Sequence, residues 1–284
     1  MTCRQLYLDA RRRLQQAGVE AAPGDAALLA EKFLGLDRAG LALHGEEEPS
    51  PERKAAFLQG VQERCARRPL QYILGEWEFL GLSLAVGEGV LCPREDTAVL
   101  VETLGQALQH TPPPRGVDLC AGTGAVALGL LQGNPDLSIL CVEWSDQALP
   151  YLQENLRRYG QGRATARKGD VLSPAFAASF SQGSLDFVAS NPPYIATEEL
   201  PTLQLEVQKE PALALDGGED GLVFYRAIAQ LWVPKVKPGG LVAVEIGETQ
   251  GPAVRELLQQ AGLLHVEIEQ DWAGLDRVVW GRRP

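Results

Sequence analysis

The sequence is poor in the residues that build metal centres and disulfide frameworks. It contains only five cysteines and three histidines in 284 residues, and the cysteines are isolated, odd in number and without a C-x-x-C spacing. This pattern favours reduced thiols in a cytoplasmic protein, and no metal site is expected. Long apolar runs are also missing, since none reaches the roughly 18 residues that a membrane-spanning helix needs. We therefore expect no membrane association.

An excess of positive charge is missing as well. Residues 1–69 hold 11 Lys and Arg against 10 Asp and Glu, whereas residues 70–284 hold 15 against 27. Proteins that grip nucleic acid normally present a basic surface, because neutralising phosphates supplies most of their non-specific affinity. The acidic C-terminal part therefore argues against DNA or RNA as a direct substrate, without excluding a local basic patch.

The hydrophobic fraction of 45% permits one large domain and an accessory one. Helical periodicity predicts helices near 2–17, 24–36, 51–67 and 95–109, with a β-ribbon at 71–86. The prolines at 112–114 predict a stiff connector. Beyond it, strands and helices alternate as in a parallel sheet. The predicted strands lie near 116–120, 138–143, 164–168, 185–190, 240–246, 264–269 and 277–281.

The end of the strand at 185–190 is the most informative chemical feature. It is followed directly by Asn191-Pro192-Pro193-Tyr194, and two prolines end a strand because neither can donate a backbone hydrogen bond. Asn191 therefore lies at the carboxyl end of the strand, where open α/β sheets bind ligands. The Asn191 side-chain oxygen and the Pro192 carbonyl would together hold the two hydrogens of a planar –NH2 group.

A glycine-rich turn upstream predicts a cofactor site. Residues 117–128 combine a buried strand, the turn Gly122-Thr123-Gly124 and a helix start, whose free N–H groups suit a ligand. The next strand ends at Glu143, about 20 residues further on, where a carboxylate can accept ribose hydroxyls. These features suit dinucleotides and S-adenosyl-L-methionine equally. The strand end at Asn191 and Pro192, which would hold an amine, favours S-adenosyl-L-methionine, because an enzyme that transfers hydride does not need to hold an amine there.

These segments resemble the class I S-adenosyl-L-methionine-dependent methyltransferases. The run 190–195 is shared by enzymes that methylate DNA adenine, RNA and protein glutamine. Three further segments, 68–76, 91–97 and 210–222, are similar to those of the release factor glutamine N5-methyltransferase family, which modifies the Gly-Gly-Gln tip of peptide chain release factors. The resemblance extends from about residue 5 to the C-terminus.

The resemblance implies an α/β fold with a Rossmann-like, seven-stranded, mostly parallel sheet and a small N-terminal helical domain. The last two predicted strands, joined without a helix, would form the antiparallel pair that closes such a sheet. Three regions are expected: a helical substrate-docking domain at 1–69, a β-ribbon and helix linker at 70–110, and the methyltransferase domain at 111–284.

The resemblance also implies the site residues. The expected catalytic residues are Asn191, Pro192, Pro193 and Tyr194, with Tyr194 as a wall of the substrate pocket. The expected cofactor residues follow four strands: Asp118, Cys120, Ala121, Gly122, Thr123, Gly124, Glu143, Trp144, Asp170, Val171 and Asn191. Three of these have a structural alternative: capping of the turn for Asp118, core packing for Trp144 and the start of a turn for Asp170. Arg94 and Thr97 would either border the methionine end of the cofactor or cap a helix.

A few positions depart from the family pattern. Cys120 replaces the first loop glycine, Glu143 a more usual aspartate and Val171 a common aromatic residue. Glu95 and Ala98 replace a usual proline and glutamate. None of these changes removes a group that the chemistry requires, so they bear on cofactor affinity more than on reaction type.

The expected reaction is methyl transfer from S-adenosyl-L-methionine, leaving S-adenosyl-L-homocysteine, to the side-chain N5 of the Gly-Gly-Gln glutamine in release factors. A ribosomal-protein glutamine methyltransferase would differ only in its docking partner. A DNA or RNA exocyclic-amine N-methyltransferase would hold an extruded base in the same way, although the acidic balance disfavours it. A non-catalytic cofactor-binding protein would tolerate the loss of Asn191.

Overall fold

The computed structural model describes residues 1–109 and 114–284, which fall into two compact units. Unit 1 comprises residues 1–76 and 204–209, and unit 2 comprises residues 77–203 and 210–284. Residues 112 and 113 of the predicted proline connector lie outside the described residues. None of the described helices is long and apolar enough to cross a membrane.

Unit 1 is helical. The first helix begins at a capping box, in which the Thr2 hydroxyl accepts the Gln5 backbone N–H and the Gln5 side-chain oxygen accepts the Thr2 backbone N–H. Its buried residues Leu6, Ala10 and Leu14 recur every four positions and form one apolar face. The helices of this unit are α1 (Cys3–Gln16), α2 (Ala22–Leu34), α3 (Arg38–His44), α4 (Pro51–Cys65) and α5 (Leu70–Leu74).

The segment Gln204–Lys209 belongs to unit 1 although it is distant in sequence. Glu206 in this segment forms ion pairs of 2.7 Å with both Arg64 and Arg67. Arg64 also pairs with Asp25 at 2.6 Å, and both of these side chains are buried. The chain therefore leaves unit 2 after residue 203, supplies one carboxylate to unit 1 and returns at residue 210.

Unit 2 contains a seven-stranded sheet in the order β5-β4-β3-β6-β7-β9-β8. Strands β3 to β7 pair in parallel, whereas β9 is antiparallel to both β7 and β8. The predicted fold class and the antiparallel closing pair are confirmed. The strands are β1 (Glu76–Phe79) and β2 (Leu82–Ala85), which form a separate pair, and β3 (Arg115–Leu119), β4 (Ser138–Glu143), β5 (Ala164–Lys168), β6 (Leu185–Ser190), β7 (Val236–Glu245), β8 (Leu264–Gln270) and β9 (Asp276–Arg282).

The two faces of this sheet bury separate apolar clusters. Along β6, Phe187 and Ala189 contribute to one cluster and Val188 to the other, as the alternation of a strand requires. Apolar residues on both faces explain why the strands appear in the sequence as nearly continuous hydrophobic runs. The helices around the sheet are α6 (Thr97–Leu108), α7 (Ala125–Gly133), α8 (Leu149–Tyr159), α9 (Pro174–Ala177), α10 (Val223–Ala227) and α11 (Gly251–Gln260).

The local structure differs from the sequence prediction at two places. The start of the predicted β-ribbon is helix α5, whose buried residues Leu70, Tyr72 and Leu74 alternate as they would in a strand. Helix α3 has no counterpart in the sequence prediction. The boundary between the two units follows residue 76, and the three regions expected at 1–69, 70–110 and 111–284 stay a prediction.

Candidate functional site

A cavity of about 250 Å³ opens in unit 2 where β3, β4 and β6 end. The strand order turns back between β3 and β6, and such switch points are where α/β sheets bind ligands. The wall is formed by parts of the segment 89–97, the residues following β3 and β4, residues 170–172, Asn191 and Pro193, and parts of 211–214. Most of the residues predicted from the sequence are thereby brought to one place.

The glycine turn, residues 120–124, forms the wall beside β3. The turn begins at Cys120, whose φ is +60°, and Gly122 and Gly124 also have positive φ values. The turn is held by hydrogen bonds from Ala121 N–H to the Val142 carbonyl at 3.0 Å and from Gly124 N–H to the Ala121 carbonyl at 2.7 Å. Cys120, Ala121, Gly122 and Thr123 line the cavity, whereas Gly124 supports the turn from behind.

Glu143 ends β4 and faces the cavity with a buried carboxylate. One oxygen accepts the Gly122 N–H at 2.8 Å and the other accepts the Ser145 N–H at 2.7 Å. Each carboxylate oxygen retains lone-pair capacity for a further donor. Glu143 therefore fixes the glycine turn and can still accept hydrogen bonds from a ligand hydroxyl.

Trp144 and Asp170 resolve two alternatives that the sequence left open. Trp144 is 52% exposed and lines the cavity, so it does not pack in the core. Asp170 accepts the Leu172 N–H at 2.8 Å and thereby starts a turn, and it also lines the cavity. Val171, beside it, is buried in the same wall.

Asp118 lies outside the cavity wall. It is 1% exposed, and its Oδ2 accepts the Ala127 N–H at 3.2 Å in the first turn of α7. Burial raises the pKa of Asp118 to about 8, against the lowering effect of this hydrogen bond. This bond agrees with the capping alternative, and a role of Asp118 beside the cofactor stays a prediction.

The clamp loop, residues 191–194, divides into cavity-lining and supporting residues. Asn191 and Pro193 line the cavity, whereas Pro192 and Tyr194 do not. The Asn191 Nδ2 donates to Thr97 Oγ1 at 3.2 Å, which ties the loop to the start of α6. Tyr194 is partly buried and packs against the apolar cluster that contains Val188, and its role as a wall of the substrate pocket stays a prediction.

The segment 215–222 supports the clamp loop from behind. Ile195 N–H donates to the Leu215 carbonyl at 3.0 Å, and Gly217 N–H donates to the Ile195 carbonyl at 2.8 Å. Gln250 Nε2 donates to the Tyr194 carbonyl at 2.9 Å. Asp216 forms an isolated bridge with Ile195, and the Asp216-Gly217-Gly218 segment has no place in the cavity wall.

Two buried residues that anchor the site were not predicted from the sequence. Glu210 accepts the Cys92 N–H at 2.9 Å and pairs with the cavity residue Arg94. Asn155, fully buried on α8, bonds both backbone groups of Ala85 and the carbonyl of Thr123. Glu210 lies within the family-like segment 210–222. Its partner Arg94 is more than a hundred residues away in sequence, so no local sequence pattern indicates that the two side chains pair.

Thr97 lines the cavity and begins α6, while the preceding Asp96 makes no side-chain cap. Arg94 also lines the cavity. Both residues therefore border the cavity, which favours that alternative over capping. Among the residues described, no group of three or more His, Cys, Asp or Glu could hold a metal ion.

Comparisons with known proteins identify the family of this chain. The PrmC N-terminal domain family matches residues 5–75, and the methyltransferase small domain family matches residues 93–226. A solved structure of the hMettl16 catalytic domain superposes with a TM-score of 0.57 at 14% identity, covering 84% of each chain, and supports the fold alone.

Similarity to curated proteins extends over nearly the whole chain. A release factor glutamine methyltransferase of Moorella thermoacetica is 39% identical over 98% of this chain and 97% of its own length. One from Geobacter sulfurreducens is 40% identical over 99% of this chain and 96% of its own. At this identity and coverage, the chain belongs to the release factor glutamine methyltransferase family.

Proposed function

We propose that this protein transfers a methyl group from S-adenosyl-L-methionine to the side-chain N5 of the glutamine in the Gly-Gly-Gln motif of peptide chain release factors. The observation that carries the proposal is the position of Asn191, which lines the same cavity as Glu143, Trp144 and Asp170. The proposal thus assigns an amide-holding group and a nucleoside-binding wall to one cavity. We place the reaction in the cytoplasm, where release factors act.

The cavity wall fits an adenosine-bearing methyl donor. Glu143 has acceptor capacity for ribose hydroxyls, Asp170 for an adenine amine, and the exposed ring of Trp144 offers an apolar face for the base. S-adenosyl-L-methionine would supply an electrophilic methyl group on sulfur, and it would leave as S-adenosyl-L-homocysteine. The glycine turn would accommodate the amino-acid end through its backbone.

The substrate nitrogen needs to be oriented before it can react. A carboxamide nitrogen is a poor nucleophile, because its lone pair is delocalised into the carbonyl. Asn191 Oδ1 and the Pro192 carbonyl would each accept one N–H and fix the nitrogen in line with the methyl group. The same two oxygens would stabilise positive charge developing on nitrogen as the N–C bond forms and the S–C electron pair returns to sulfur. The proton then leaves nitrogen, whose acidity has risen.

Unit 1 is the proposed docking surface for the release factor. Residues 1–69 are nearly balanced in charge, whereas the remainder of the chain is strongly acidic. A helical unit of this kind can select the protein partner without entering the chemistry. The expected site roles of the glycine turn and clamp loop belong to the same proposal.

Methyl transfer to three substrates tests the proposal: a release factor, its Gly-Gly-Gln→Gly-Gly-Ala variant, and duplex DNA. We expect one methyl group on the glutamine, located by peptide mass spectrometry, and none on the other two substrates. Asn191→Ala should lower kcat by about 10²–10³-fold while S-adenosyl-L-methionine binding persists. Methylated DNA, or an Asn191→Ala enzyme as active as the wild type, would overturn the assignment. Methylation of a ribosomal protein instead of the release factor would show that the protein substrate is a different one.

A further inference from the structure

Glu245 is a buried carboxyl that the reaction described so far does not use. It is the last residue of β7, it is 2% exposed, and it stands behind the cavity rather than in its wall. Its Oε2 has no hydrogen-bond partner among the described residues. An unsatisfied buried carboxyl oxygen is costly, so a fold that retains one calls for a functional explanation.

The neighbours of Glu245 connect it to the clamp loop. Thr97 and Asn191 are both close enough to its carboxyl group to lower its pKa, and Asn191 Nδ2 donates to Thr97 Oγ1 at 3.2 Å. Thr97 is 3% exposed, so water competes little for this bond. The three side chains form one polar cluster that comes from α6, the clamp loop and β7.

The chemistry of this group is selective for one orientation of the Asn191 amide. A carboxylate only accepts hydrogen bonds, whereas an asparagine can present either –NH2 or C=O to a neighbour by rotating about its last bond. A Glu245 carboxylate nearby therefore favours the orientation in which the –NH2 group faces inward. Because Nδ2 donates to Thr97 and the unpartnered Oε2 of Glu245 is a further acceptor on that side, Oδ1 is the atom left for the cavity.

We propose that Glu245, acting with Thr97, is a positioning residue that holds Asn191 with its Oδ1 towards the substrate amide. This inference rests on the proposed function, because only an N–H-bearing substrate needs an acceptor at that place. A turned asparagine would present –NH2 to the substrate –NH2, and two donors cannot bond. Glu245 and Thr97 thus determine, before substrate binds, that the Asn191 oxygen rather than its –NH2 group faces the substrate.

Protonation of Glu245 would weaken this selection, because a carboxylic acid can also donate. Burial raises the pKa of Glu245 to about 7. Its charged and titratable surroundings are Asp96, which raises the pKa, Arg277, which lowers it, and the phenols of Tyr194 and Tyr225. We therefore expect kcat of the wild type to rise with pH through about 7, and Glu245→Gln to lack that rise.

Steady-state kinetics with a release factor provide the first test. We expect Glu245→Gln and Thr97→Val each to lower kcat roughly tenfold, the effect of one lost hydrogen bond, with little change in KM. Thr97→Ser, which keeps the hydroxyl, should recover most of the loss seen in Thr97→Val. The matched control is Glu248→Gln, the same substitution at an exposed position three residues on. Unchanged kcat and an unchanged pH profile in Glu245→Gln would overturn the proposal.

A second measurement works without any substrate. In ¹⁵N-labelled protein, the side-chain –NH2 resonances of Asn191 are identified by their absence in Asn191→Ala. We expect them to exchange slowly with water and to shift as pH passes through about 7, and both properties to be lost in Glu245→Gln. Rapid exchange in the wild type would overturn the positioning role even if methyl transfer is observed. Conversely, slow exchange in a protein that does not methylate release factors would uphold the role of Glu245 while refuting the proposed function.

Discussion

Cys120 occupies a backbone conformation that suits glycine. Its φ of +60° lies in the left-handed region, which costs a residue with a Cβ atom about 1–2 kcal/mol. The family places glycine here, and the conformation explains why. The side chain is partly buried and packs against the apolar cluster that contains Val117 and Val188, so packing offsets part of the backbone strain.

This balance predicts an unusual order of stability. Cys120→Ala keeps the strained Cβ and loses the packed sulfur, whereas Cys120→Gly loses the sulfur but relieves the strain. We expect Cys120→Ala to be less stable than Cys120→Gly by about 1 kcal/mol, although alanine is closer in size to cysteine. Urea unfolding of the two variants measures the difference. An alanine variant at least as stable as the glycine variant would show that the turn is unstrained.

Asp118 predicts a pH-dependent stability. Its pKa of about 8 in the folded protein lies above the ordinary value of 3.8. Between these values the folded form holds a proton that the unfolded chain has lost, so stability falls as pH rises through this window. The Asp118→Asn side chain does not titrate, so the stability of this variant should not show this part of the decrease with pH. Urea unfolding of both proteins at pH 5 and pH 8 compares the slopes, and parallel pH dependences would contradict the prediction.

Residues at strand ends were predictable from the sequence, because a strand end fixes where a side chain lies. Asn191 and Glu143 were found in this way and line the cavity. Asp118 lies within β3 rather than at its end, and because side chains alternate in direction along a strand, its position in the chain alone does not place it in the cavity wall. Glu245 was missed altogether, since its partner Thr97 is distant in sequence and only the folded sheet brings them together.

At the scale of elements, the clamp loop depends on a neighbouring turn that has no room for side chains. A Cβ on Gly221 would lie 2.4 Å from the Tyr194 carbonyl oxygen, and one on Gly217 would lie 2.8 Å from the Tyr194 Cα. Gly221 also has a φ of +71°. The turn therefore sets the position of the backbone that follows Asn191 and the two prolines.

Gly221→Ala should accordingly damage catalysis more than stability alone explains. The added methyl group displaces the Tyr194 backbone, so we expect kcat to fall at least tenfold, since small misplacements of positioning groups are costly. Gly262→Ala is the matched control, because Gly262 has a φ of +91° with nothing within 4 Å of its added Cβ. Both variants carry the backbone strain, and only the first carries the clash. Equal kcat values in the two would contradict the prediction.

Most elements were predictable because their apolar patterns are distinct. The central strands β3, β4, β6 and β7 are mostly buried on both faces, and their apolar runs in the sequence end near the observed strand ends. Helix α5 was taken for a strand because five residues are too few to separate helical from strand periodicity. The pairing of β9 between β7 and β8 could be expected only from the family resemblance, since no local pattern encodes strand order.

At the scale of the whole molecule, unit 1 depends on a carboxylate supplied from residues 204–209. Partial burial alone would raise the pKa of Glu206, but hydrogen bonds from Arg67 and Arg64 outweigh it and lower the pKa. Arg64 itself is buried. Because a buried charge is costly without its partner, the helices of unit 1 need this distant segment for their full stability.

Glu206→Gln should therefore loosen unit 1 selectively. We expect the variant to lose about 2 kcal/mol of protection against hydrogen exchange in α2 and α4, which carry Asp25 and Arg64, while the strands of unit 2 keep theirs. Glu198→Gln, an exposed change in the same connection, serves as the control. Equal losses in both units, or none in either, would show that the ion pairs have no local role.

The same detour of the chain constrains the order in which the protein can mature during synthesis. Residues 1–76 leave the ribosome first, yet Glu206 follows 130 residues after Glu76. At about 5–20 residues per second, this delay is on the order of ten seconds. Throughout that interval the nascent helices carry Arg64 and Arg67 without their carboxylate. Unit 1, which is proposed to recognise a release factor, is thus the first part of the chain to be synthesised. It is completed only after the clamp loop has been synthesised.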